Sequence, residues 1–578
     1  MLRMESGSLR KFGIEVRNSK RLVLLFFLLA VSFASYDLVV LYLGTATSLF
    51  SIRVDDGWRW DEPALYLVGV GKTILFDPYL KEHAADLTLR PAIPTALFTA
   101  IYWLCGRNLD LSIVVGHTVP PLVSCLLLYL IGMRLTGSRS WAIFAMLLAV
   151  GHFVYSPAEV IGSIIWGKQF IGAGLAGPDL YLLKSLLGDA LPIEGIMAPT
   201  QFTRLFSPSL TLPFFLLPLW MLLRGGAPAA RGALIAANLY VYPHNIIVLG
   251  VIESAFWLRD RRPPKPIFFV VGALVCVPFI LLYALIAGAG TSADMYSRVG
   301  QTHWLSPMWF FVPFFAITTL LVTYSRRKDV DGTRLAFTAG CLASAILIWS
   351  ADSFLKFPQV HLVGLRIFAY VAPLTLACGL KELRQRIASS LNMLMLALVA
   401  TSHAYAGWTH RFDYADFPAD GFPSELSKLP AGSVVMTDVA YEVPYVSTVG
   451  DRYSYLAAGI VSAASNAELL QRFAIVARVY GWSTDRLHAD WSTDKSHGVT
   501  WDIGVPIYNW IYHLGAPEPA VRDAAIDAAV KALEGRTGCE LLQIYRVDYI
   551  RFRQVPPVGV DACTVPATAH ILRVVPAK

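Results

Sequence analysis

The sequence predicts a polytopic α-helical membrane domain followed by a small α/β domain. Three observations predict it. First, 55% of the 578 residues are hydrophobic and only 15% are charged, with a mean hydropathy of +0.53. That balance belongs to chains whose apolar surface faces lipid. Second, long apolar runs recur through residues 1–406 with basic residues gathered between them. Third, from about Gly407 the pattern changes to short strand-like and amphipathic stretches. The net charge of +7 divides at the same place. Residues 1–406 carry 33 Lys/Arg against 22 Asp/Glu, and residues 407–578 carry 15 against 19. Basic loops on the inner side of a membrane explain this balance better than nucleic acid does.

The membrane domain is expected over residues 1–406, with about eleven segments. Arg3, Arg10, Lys11, Arg17, Lys20 and Arg21 precede the run Leu22–Leu43. The run is too long for a signal peptide, so it is read as a retained first helix with its N-terminus in the cytoplasm. Asp37 lies inside it and should face protein or water, as a structural partner of another helix. Loop 1, about residues 46–110, follows on the outer side. Within it Ala64–Leu75 and Tyr79–Leu89 are expected as short interfacial helices, and Ala96–Cys105 is too short to span.

Leu111–Met133 returns inward and Trp141–Tyr155 goes out. Loop 2, residues 156–206, is long and rich in Gly and Pro, which points to function more than to connection. Pro208–Leu223 spans back in. Gly232–Leu258 has basic flanks at both ends, so two short helices turning near Tyr242-Pro243-His244-Asn245 are expected. Ile267–Ala289, Pro307–Tyr324, Leu335–Ala351, Leu365–Leu380 and Leu391–Ala406 complete the set.

Residues 407–578 are expected as an extracytoplasmic α/β domain. Strands are expected at Ser433–Thr437, Val443–Val449, Glu540–Phe552 and His570–Val575, and helices at Ala467–Tyr480 and Pro519–Leu533. Cys539 and Cys563 could pair if this domain lies outside. The whole predicts a multi-pass protein of the cell (inner or plasma) membrane.

The chemistry concentrates in Arg53-Val54-Asp55-Asp56-Gly57-Trp58-Arg59-Trp60-Asp61-Glu62-Pro63, which packs Asp55, Asp56, Asp61 and Glu62 into eight positions. Neighbouring carboxylates perturb each other's pKa, so one can act as a base near neutral pH. Trp58 and Trp60 equally suit membrane-interface anchors. Arg204 and Arg366 each open a helix on the expected outer side, where a planar guanidinium matches phosphate oxygens. Lys168, His244, His303 and His361 are further candidates. The sequence holds no CxxC and no His/Cys metal spacing, so no metal ligand set is assigned.

Asp61-Glu62-Pro63-Ala64-Leu65-Tyr66 resembles the first-loop motif of bacterial lipid A aminoarabinose transferases. Arg90-Pro91-Ala92-Ile93-Pro94 with Ala96–Gly106 is similar to their second interfacial segment. Arg366 with Tyr370 and Pro373 is similar to their late Arg-Tyr-Pro helix start. Leu429-Pro430-Ala431-Gly432-Ser433 and Tyr545-Arg546-Val547-Asp548-Tyr549 resemble the tail domains of bacterial relatives. The chain thus resembles the GT-C superfamily of polyprenyl-phosphate-dependent glycosyltransferases, which includes protein O-mannosyltransferase-type membrane enzymes.

The resemblance implies an inverting transferase that moves a sugar from a polyprenyl-phosphate donor to a lipid, glycan or protein acceptor on the extracytoplasmic face. A loop carboxylate would be the base, and Arg204, Arg366 and Lys168 would hold the donor phosphate. It implies no required cofactor and leaves a divalent metal open. Asp55-Asp56 precedes the expected acidic pair, so either pair can hold the base. The Trp-Trp-Asp motif of oligosaccharyltransferases is absent, which argues against transfer of a whole glycan to Asn. The alternatives are a transporter or flippase of lipid-linked sugars, and an O-antigen ligase or polymerase-like enzyme. The first would show internal repeats and charges along a mid-membrane path, and the second would lean on one large outer loop.

Overall fold

The computed structural model describes residues 20–43, 67–72, 76–87, 92–151, 209–262, 264–288, 294, 308–324, 332–355, 363, 367–383, 385–410, 422–438, 442–448, 451–457, 459, 462–483, 487, 519–552 and 556–576. The first helix, α1 (Lys20–Leu43), follows the expected run closely. Next come the short α2 (Ala92–Leu104), α3 (Leu109–Thr136) and α4 (Arg139–Val150). The long α3 starts where Asn108 accepts a hydrogen bond from Leu111 N, and stops at Gly137, whose φ of 65° few other residues adopt.

After loop 2 the bundle continues with α5 (Leu212–Arg224), α6 (Pro228–Ala237) and α7 (His244–Asp260). The expected pair of short helices is therefore present, and its turn is stapled by asparagines. Asn245 Nδ2 donates to Asn238 Oδ1 at 2.7 Å, and Asn238 Nδ2 donates to Leu234 O and Phe214 O. The two bonds from Asn238 Nδ2 satisfy backbone carbonyls that apolar surroundings would otherwise leave bare. Then follow α8 (Pro266–Gly288), α9 (Met308–Tyr324), α10 (Gly332–Leu355), α11 (Ala369–Leu380) and α12 (Gln385–His410). Gly232 lets α6 and α8 touch, since a Cβ there would meet Phe268 O at 2.2 Å.

One core joins α1, α3, α4, α5, α7 and α9–α12, with Leu29, Phe33, Trp141, Phe215, Phe315, Phe337 and Tyr370 buried in it. Among the described residues, three helices are long and apolar enough to cross a membrane: Leu22–Leu43, Leu109–Thr136 and Gly332–Ala351. Elsewhere the apolar helical stretches are shorter, at 10–17 residues, as in Pro266–Leu282 within α8 and Arg386–Thr401 within α12.

The C-terminal region builds a five-stranded sheet in the order β2-β1-β3-β5-β4. The strands are β1 (Val434–Thr437), β2 (Tyr453–Ser454), β3 (Tyr549–Arg551), β4 (Thr564–Pro566) and β5 (Ile571–Val574). Strand β1 runs parallel to both β2 and β3, and β5 runs antiparallel to β3 and β4. Helices α13 (Phe422–Ser427), α14 (Glu442–Thr448), α15 (Asn466–Val479), α16 (Pro519–Lys531) and α17 (Gly538–Leu541) accompany the sheet.

Two strand expectations fail here. Of the expected strand Val443–Val449, all but Val449, which lies outside the described residues, belongs to the helix α14 despite its β-branched residues, because Glu442, Val443, Tyr445 and Val446 are all buried from it and Thr437 Oγ1 donates to Glu442 Oε2. Glu540–Phe552 is mostly not strand. Thr537 caps α17 with a capping box to Glu540, and only Tyr549–Arg551 joins the sheet. The Cys539–Cys563 disulfide forms, tying α17 to the turn before β4. A third apolar cluster joins the two regions, with Tyr36, Val40, Phe98 and Ile113 packed with Leu429, Val435, Tyr445 and Val446.

Candidate functional site

Of the side chains expected to carry chemistry, His244 alone is among the described residues. It opens α7, half-buried, with its ring 5.3 Å from that of Tyr242. Asp55, Asp56, Asp61, Glu62, Lys168, Arg204, His303, His361 and Arg366 lie outside the described residues. The residues directly after Arg366 are described, and Ile367, Phe368 and Tyr370 are buried in the helical core. The Phe368 ring lies tilted 5.7 Å from that of Phe311 and edge-on 5.3 Å from that of Phe315.

After the four carboxylates, residues 67–72 and 76–87 are described, and they differ from the interfacial helices expected at Ala64–Leu75 and Tyr79–Leu89. Leu67–Val70 and Lys81–His83 are single 3₁₀ turns. Residues 76–87 close on themselves through a bridge between Phe76 and Leu87. Tyr79 and Leu80 are fully buried in the core of the sheet domain, and Ser454 N donates to Tyr79 O at 2.8 Å. The apolar character that suggested a membrane surface is spent on a protein surface instead.

Asp77 is the pivot of this seam. Its Oδ1 accepts from Tyr79 N at 2.9 Å and Leu80 N at 3.0 Å. Its Oδ2 accepts from Ser462 Oγ and Ala463 N, both at 2.8 Å. Burial pushes the Asp77 pKa up, and the four donors oppose that push. Lys72 Nζ donates to Arg452 O at 2.7 Å and sits 3.2 Å from Asp451, with burial lowering its pKa. Lys81 Nζ donates to Gly432 O. Glu82 and Glu468 both reach the fully buried Arg472, at 3.1 and 2.8 Å.

His83 completes the seam, with Nε2 2.9 Å from Glu468 and Nδ1 2.6 Å from Asp86. The Glu468 hydrogen bond outweighs burial and, with Asp86, pushes the His83 pKa up from 6.5 to about 9. A pKa raised in the folded state stabilises fully below the unfolded value and ceases to do so as pH passes the folded one. Seam stability is therefore expected to fall between pH 6.5 and about 9. Hydrogen exchange of residues 76–87 across that range should show it, and His83→Gln should flatten the dependence.

Inside the bundle, Asp37 finds the helix partner expected of it. Its Oδ2 lies 2.8 Å from His117 Nδ1 on α3, and both groups are buried. Next to it Ser32 donates to Val399 O at 2.8 Å and meets His403 Nδ1 at 3.2 Å, joining α1 to α12. Pairing of this kind is what keeps an ionisable group tolerable at membrane depth.

Sequence reasoning missed Asp77, His83, Glu468 and Arg472. Only weak signals existed for them. Asp77-Pro78 is a turn dipeptide, and Ser465-Asn466-Ala467-Glu468 marks a helix start, where Glu468 N donates to Ser465 Oγ at 3.1 Å. Among the described residues no group of three or more His, Cys, Asp or Glu could hold a metal.

No family model and no curated protein matches the chain. Three solved structures of the Archaeoglobus fulgidus oligosaccharyltransferase are similar to it at a distance. One, in complex with zinc and sulfate, shares 14% identity at a TM-score of 0.30, covering 73% of this chain and 62% of that one. A second, tethered to an acceptor peptide with the NVT sequon, shares 11% at 0.33, covering 91% and 69%. A third, with an inhibitory peptide and a dolichol-phosphate, shares 11% at 0.30, covering 73% and 63%. Likeness at this level assigns no role to any residue of this chain.

Proposed function

We propose that the protein is a GT-C-type membrane glycosyltransferase, which moves a sugar from a polyprenyl-phosphate donor to an acceptor on the extracytoplasmic face. The observation that carries this reading is the placement of the chain around the acidic cluster. Before it, α1 ends in the helical bundle at Leu43; after it, Tyr79 and Leu80 are built into the core of the sheet domain. In sequence, Asp55, Asp56, Asp61 and Glu62 fall between these two segments, one in an apolar bundle suited to a lipid donor and one in a folded domain. The Cys539–Cys563 disulfide supports an oxidising, outer location for that domain.

In this reading one of Asp55, Asp56, Asp61 and Glu62 takes the proton of an acceptor O–H or N–H. The acceptor atom bonds to the anomeric carbon as the bond from that carbon to the phosphate oxygen breaks on the opposite face. Configuration inverts, and the polyprenyl phosphate leaves with the electron pair. Arg204, Arg366 and Lys168 stabilise its charge.

The test is a transfer assay in proteoliposomes with radiolabelled polyprenyl-phosphate sugars. Label moving from lipid to acceptor is expected. Label crossing the bilayer while still on its lipid would replace this reading with a flippase.

A further inference from the structure

Arg107, between α2 and α3, holds a backbone state unusual for its type. Its φ is 64°, in the left-handed region that residues with a Cβ seldom adopt. The end of α2 does not require it. Gly106 N donates to Trp103 O at 3.1 Å and Arg107 N to Tyr102 O at 2.9 Å, which already closes the helix. With this backbone the Arg107 guanidinium lies 4.0 Å from the centroid of the Trp103 ring. Stacking uses the face of a guanidinium and leaves its in-plane N–H groups for an anion. Arg107 is exposed, and among the described residues no carboxylate pairs with it. The nearest acid in sequence, Asp110, stands in the first turn of α3 and complements that helix terminus.

The surroundings are apolar and face outward. Trp103 is 58% and Leu104 87% exposed. The opposite face of α2 is buried, and its Phe98 and Ile101 pack with Ile113 of α3 and with Leu429 and Val435 of the sheet domain. This end of α2 therefore lies at the level where the bundle meets that domain. The span of α3 begins at Leu109, two residues after Arg107, or about 3 Å along a helix. From there α3 exposes Leu111, Val119 and Val123, which share one face. An exposed Trp at the end of a span marks the boundary between membrane and water, and headgroup phosphates lie at that height.

We propose that Arg107, braced on Trp103, binds the phosphate of an anionic phospholipid in the leaflet on the sheet-domain side, with the acyl chains against Leu104 and Leu111. The exposed setting suits a lipid of the surrounding bilayer, not a donor drawn into the bundle. Such a lipid is no reactant, so its binding stands apart from the transfer chemistry. It anchors α2, and through Phe98 and Ile101 the sheet domain, to the membrane surface.

The experiment measures phosphatidylglycerol bound to the full-length protein by native mass spectrometry, with the unfolding midpoint taken in the same detergent without lipid. Diacylglycerol of the same chains, which lacks the phosphate, and a polyprenyl phosphate are run beside it. Arg107→Gly is expected to weaken the tightest phosphatidylglycerol site roughly 5-fold. The midpoint should hold or rise, since glycine takes a φ near 64° freely. Arg107→Lys keeps the charge without the planar fork and is expected to fall between the two. Unchanged phosphatidylglycerol binding in Arg107→Gly would overturn the proposal. So would a lower lipid-free midpoint in that variant, which would make Arg107 a helix cap only. Wild type binding diacylglycerol as tightly as phosphatidylglycerol would also overturn it, as would polyprenyl phosphate displacing phosphatidylglycerol, which would make this a donor site.

Discussion

Replacing Asp77 with alanine is expected to destabilise the sheet domain by about 3–5 kcal/mol. The carboxylate is 1% exposed and accepts four hydrogen bonds, two from its own turn and two from Ser462 and Ala463. Alanine leaves three backbone N–H groups and a hydroxyl with no acceptor, and each buried group so orphaned costs about 1–3 kcal/mol. Part of that is regained by water entering the seam. Denaturant unfolding of the purified protein in detergent measures it, followed by the loss of protection of residues 76–87. A change below about 1 kcal/mol would mean that the loop is held by Tyr79 and Leu80 alone.

The second large effect is expected at Arg472. Its side chain is fully buried, donates to Tyr455 O at 3.0 Å, pairs with Glu468 and Glu82, and lies 4.0 Å from the Tyr545 ring centroid. Arg472→Met fills a similar volume but leaves two carboxylates short of a cation. Breaking a buried pair on one side costs about 3–5 kcal/mol. Glu82 is the more exposed partner and rehydrates, and Glu468 keeps His83, so the lower end of that range is expected. A second change, Glu468→Gln, should then cost less on the Arg472→Met background than alone. Simple additivity would show that the two side chains do not act as a pair.

What could be foreseen in this chain follows the range of the forces involved. The helices were legible because apolar runs and basic flanks are local patterns. Leu22–Leu43 and Leu111–Met133 were placed within a few residues, and the paired basic flanks of Gly232–Leu258 called for the turn that Asn238 and Asn245 now staple. Asp37 needed a partner on energetic grounds, although nothing local named His117. The disulfide could be suggested because Cys539 and Cys563 stood alone in the polar tail.

Long-range contact was not legible. Val443–Val449 has strand propensity, yet its described part lies in α14, since burial of Val443, Tyr445 and Val446 decides its conformation. Residues 76–87 have the amphipathic look of a membrane surface, yet their apolar side chains meet a domain folded from residues some 380 positions later, as in the 385-residue separation of Asp77 and Ser462. No window along the chain contains that information. The acidic cluster was legible as chemistry because its residue types speak for themselves, whereas its supports are ordinary residues distinguished only by whom they touch.

The most direct measurement is sugar transfer by Asp55→Asn, Asp56→Asn, Asp61→Asn and Glu62→Gln beside wild type, with donor binding measured on the same preparations. General-base catalysis contributes about 10²–10⁴-fold, so one variant is expected to lose turnover on that scale while binding the polyprenyl-phosphate sugar like wild type. Wild-type transfer rates in all four variants would contradict the assignment of the base to this loop.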